Sequence, residues 1–140
     1  MGAWGTGAFD NDDAGDWSYE LLESDDLTPA RAALAATMDT DGYLERPEAS
    51  RAVAAATVVA AGFDGDVKGL PEEALAWLLV HPDAGTLADA RLALDALERV
   101  AGPDSELREV WLESSEGPAW VAEVARLGYR LGRVLGDEIA

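Results

Sequence analysis

Ten consecutive residues, Ala52 to Ala61 (AVAAATVVAA), carry no charge and, wound as a helix, are apolar around nearly the whole circumference. A helix of this kind offers no face to water, so the rest of the chain must surround it. It is far short of the ~20 apolar residues that span a bilayer. The run therefore predicts the central helix of a packed bundle. Alanines leave little side chain to fill space, so its neighbours are expected at the short end, about 8 Å, of ordinary helix separations. A charge at Ala56 is expected to unfold the chain.

The flanking sequence supplies the surround. Asn11 or Asp12 can cap a helix to about Ser24, with Ala14, Trp17 and Leu21 on one face. Thr28 reads as the cap and Pro29 as the first-turn proline of a second, running to about Thr40 with Leu34 and Met38 inward. Pro47 opens the central helix and Gly62 is placed to close it. Pro71 starts another, carrying Leu75, Trp77, Leu78 and Leu79 to the His81-Pro82 stop. Thr86 with Asp89 resembles a capping box for a helix ending at Gly102-Pro103. Asp104 or Ser105 caps a segment with Leu107, Val110 and Trp111. Gly117-Pro118 precedes a final amphipathic helix whose stripe is Trp120, Val124, Leu127, Leu131 and Val134, with Arg126, Arg130 and Arg133 opposite. No segment shows sustained period-2 alternation. The expectation is an all-α fold, a compact bundle of about six helices, forming one domain over residues 1–140.

Composition narrows function by exclusion. With 140 residues, the folded surface should be roughly 7,000 Å² and about two thirds of the chain's surface buried, enough for one core. Zero cysteines exclude disulfides, thiolate zinc sites and cysteine nucleophiles; a single histidine, His81, excludes any site built from two. Twenty-eight acidic against ten basic residues give a net charge of −18, which opposes nucleic acid and anionic lipid and favours a basic protein as partner. The sequence lacks the pattern of a secretory leader, so the cytoplasm is the expected compartment.

The opening is the most constrained stretch: Met1-Gly-Ala-Trp-Gly-Thr-Gly-Ala-Phe-Asp-Asn-Asp-Asp-Ala-Gly-Asp-Trp17. Glycines 2, 5 and 7 permit turns closed to other residues, while Trp4 and Phe9 gain roughly 1.5–3 kcal/mol each on burial. This glycine- and aromatic-rich segment is expected to dock on the bundle. Through Gly2, Trp4, Gly5, Gly7, Phe9, Asp10, Asn11, Asp12, Asp16 and Trp17 the chain resembles the DUF4259 family, whose members begin MGAWGxGxFDND followed by Asp-Trp. The match is close over the first seventeen residues. The resemblance implies a compact, mostly helical bacterial domain and no reaction, cofactor or catalytic residue.

The candidate binding residues are Trp4, Phe9, Asp10, Asn11, Asp12, Asp16 and Trp17. Read as a calcium loop from Asp10, the acids fail: positions five and twelve are Ala14 and Leu21, where ligands are required. A capped helix start accounts for Asp10, Asn11, Asp12 and Asp13. Gly5-Thr6-Gly7 lacks the preceding strand and the lysine of a phosphate loop. Met1-Gly2 with Thr6 fits an acylation pattern, but residues 1 to 30 contain no Lys or Arg to hold a membrane. His81 reads as a helix end and the tryptophans as core.

Three functions fit. The first is a non-catalytic acidic protein-binding domain, of the immunity type that blocks a basic partner. The second is a metal-dependent enzyme or ligand-binding domain in which Asp10, Asp12, Asp13 and Asp16 hold a hard cation such as Mg²⁺. The third is a scaffold in which Trp4 and Phe9 insert into another chain. No catalytic residue, metal ligand set or cofactor motif stands out.

Overall fold

The computed structural model describes residues 5–139, with side chains through Gly136. Its described residues form seven helices and no strand: α1 (Asp12–Leu22), α2 (Thr28–Asp39), α3 (Arg46–Asp64), α4 (Glu72–Val80), α5 (Leu87–Ala101), α6 (Glu106–Leu112) and α7 (Gly117–Ile139). The expected number of about six falls one short: each of the seven segments marked out in the sequence, the two-turn α6 among them, forms its own helix. None is long and apolar enough to cross a membrane. The accessible surface is 7267 Å², close to the value expected from size.

α3 sits at the centre. Ser50 and every residue from Ala52 to Ala61 are buried, and all six other helices contact it. The all-round apolar run thus dictates the architecture: its bare circumference is removed from water only by a complete ring of partners.

Local signals set the helix ends. Asn11 Oδ1 accepts from the Ala14 amide at 2.8 Å to open α1, and Thr86 with Asp89 forms the reciprocal capping box of α5. Ser105 rather than Asp104 caps α6. Gly62 does not close α3. The helix runs on to Asp64 and stops at Gly65, whose φ of 72° is the left-handed geometry only glycine adopts freely. Gly117 is required where α6 meets α7, since a Cβ there would lie 2.5 Å from the Trp111 carbonyl oxygen.

Met38, expected inward, faces out, and so does Leu79. On α2 the buried positions are Ala30, Leu34 and Thr37, leaving Met38 exposed on the flank. On α4 they are Ala74, Trp77 and Leu78, leaving Leu79 exposed. A helix of 3.6 residues per turn that packs on one side buries spacings of three and four, and neighbours just off that stripe rotate into solvent.

The α2–α3 and α5–α6 connections are tied together. The Leu44 amide donates to the Asp104 carbonyl at 2.7 Å and the Glu106 amide to the Leu44 carbonyl at 2.9 Å, a single parallel bridge. Asp104 takes a positive φ of 60° to make it.

Candidate functional site

The N-terminal motif first explains its own conformation. Asp10 Oδ2 accepts from the Gly7 amide at 3.0 Å while the Asp10 amide donates to the Gly7 carbonyl at 3.0 Å, a closed turn. A Cβ on Gly5 or Gly7 would fall 2.6 or 2.7 Å from that same carboxylate oxygen, so a side chain at either would push Asp10 away from the Gly7 amide. Asn11 caps α1 and its Nδ2 donates to the Ala8 carbonyl. Phe9 is buried, and Trp17 is buried with its indole N–H donating to the Pro29 carbonyl at 3.3 Å. The segment from Gly5 onward therefore docks as expected; Trp4 lies outside the described residues.

Of the candidate binding residues that the structure describes, Asp12 and Asp16 alone stand exposed on the surface. The four aspartates proposed to hold a cation are divided. Asp10 turns back onto Gly7, Asp12 and Asp16 border one depression, and Asp13 borders another. Among the described residues no three His, Asp or Glu side chains are grouped to hold a metal ion.

His81 ends α4 as predicted. Its Nδ1 lies 2.9 Å from the Trp77 carbonyl, and its ring stacks on that tryptophan with centroids 4.2 Å apart. Trp77 in turn donates its indole N–H to the Ser24 carbonyl at 2.8 Å.

Two of the arginines on α7 do not form a solvated stripe. Arg130 grips Asp64 through two nitrogens, at 2.7 and 3.0 Å, and Arg126 reaches Asp66 at 2.7 Å. The pairs lock α7 to the end of α3. Burial works against ionisation of Asp64, but the Arg130 guanidinium outweighs it and holds the carboxyl below its ordinary range. Asp66 is held low by the Lys68 backbone amide and the two arginines.

A second ion pair joins α2 to α5: Arg31 clasps Asp89 at 2.7 and 3.0 Å. Burial would push the Asp89 carboxyl up; hydrogen bonds from Arg31 and the Thr86 amide prevail and lower it. The Tyr43 hydroxyl donates to Glu109, and that bond pushes the phenol up to about 12.

Two depressions border the residues in question. One is a groove of about 260 Å³ between α1 and the start of α4, bordered by Asp12, Asp16, Tyr19, Leu22, Pro71 and Glu73. It opens onto the outer face of α1, where Asp12, Asp16, Glu20 and Glu23 follow one another at helical spacing, all exposed. None has an ion-pair partner among the described residues. Tyr19 stands among them, 65% exposed.

The other is a cavity of about 100 Å³ enclosed by residues 5–8, α3, α6 and α7. Sequence reasoning missed it. The available signal was Ser50 and Thr57, seven residues apart and hence on one face of an otherwise apolar helix.

Seven packed helices with a docked glycine-rich segment, among the described residues, are the class these observations define. The chain belongs to the family described as Domain of unknown function (DUF4259), which it matches over residues 2–123. No curated protein and no solved structure matches it.

Proposed function

We propose that the chain is a non-catalytic acidic protein-binding domain, working as immunity-type inhibitors do, whose basic partner docks on the outer face of α1. The unneutralised row Asp12, Asp16, Glu20 and Glu23 carries this reading. Like charges four apart on a helix cost about 0.2–0.5 kcal/mol per pair, so the row is unfavourable in the free protein and relieved by a cationic surface. The adjoining groove offers Tyr19 as a face for an arginine or lysine side chain, with Asp16 and Glu73 at its border. Complementary charge speeds encounter and makes affinity fall with salt. A bacterial cytoplasm suits a cysteine-free acidic chain of this kind.

The reading is tested by following backbone amide resonances during titration with a twelve-residue peptide rich in arginine and lysine. Shifts should concentrate on α1 and the start of α4, weaken several-fold between about 50 and 300 mM salt, and largely vanish in the Asp16→Lys/Glu20→Lys variant. Shifts scattered over acids of every helix, or binding indifferent to the double reversal, would refute it.

A further inference from the structure

We draw no further inference here: the strongest candidate, the outward face of α7 on which Val121 and Tyr129 stand exposed beside Ala125 and Gly132, carries nothing, because nothing in the structure shows what covers it.

Discussion

Leucine in place of Ala56 tests whether α3 is as tightly enclosed as its burial implies. Ala56 has no accessible surface, and Ala54, Ala55 and Ala60 around it have none either. A larger side chain there can fit only by displacing a neighbouring helix, which typically costs 1–3 kcal/mol. Intrinsic helix propensity contributes no more than a few tenths of that, since alanine and leucine are both strong helix formers. For 140 residues the unfolding entropy is about 0.3 kcal/mol/K, so the melting temperature should fall by about 3–10 °C. Ala36→Leu, at an exposed position of α2, is the matched control and should move it by less than 2 °C. Thermal melts by circular dichroism measure both. Equal, small shifts would mean that alanine is not what sets the helix separation, and the account of the bundle given above would fail.

Asp89→Asn keeps the shape of the capping box but removes the charge facing Arg31. With Arg31 40% exposed the pair is discounted for solvent, and the loss at pH 7 should be about 1–2 kcal/mol by urea titration. Because the folded carboxyl is held below its unfolded value of about 3.9, its contribution is full above that pH and disappears as pH falls through the folded value. The gap between wild type and variant should thus close in acid; a constant gap would contradict the pairing. Thr37→Val removes a fully buried hydroxyl that has no partner and should raise stability by about 1 kcal/mol, visible as a higher urea midpoint at an unchanged slope.

What the sequence made legible was local. The Thr86–Asp89 box, the Asn11 cap, the Pro29 and Pro47 first turns and the apolar run of α3 are written within a few adjacent residues, and each is found in place. The end of α3 was misread because Gly62 and Gly65 look alike in one dimension; backbone geometry alone selects the second. Arg126 and Arg130 of α7 pair with carboxylates sixty and sixty-six residues away, a proximity that no periodicity encodes. Within the N-terminal motif, burial of Phe9 and Trp17 was readable, but the sharing of Asp10 with Gly7 was not, since it depends on a turn. The cavity escaped notice for a similar reason. Its walls come from five separate stretches, and each of its polar groups looks ordinary within its own segment.

The position of α3 in the order of the chain also bears on how the protein is made. It leaves the ribosome before α5 and α7, which cover two of its flanks. Until Leu131 has emerged, a nascent chain therefore carries a strip of bare alanine and valine with nothing laid over it. Mutual repulsion among strongly acidic chains keeps such half-built molecules from sticking to one another during that interval.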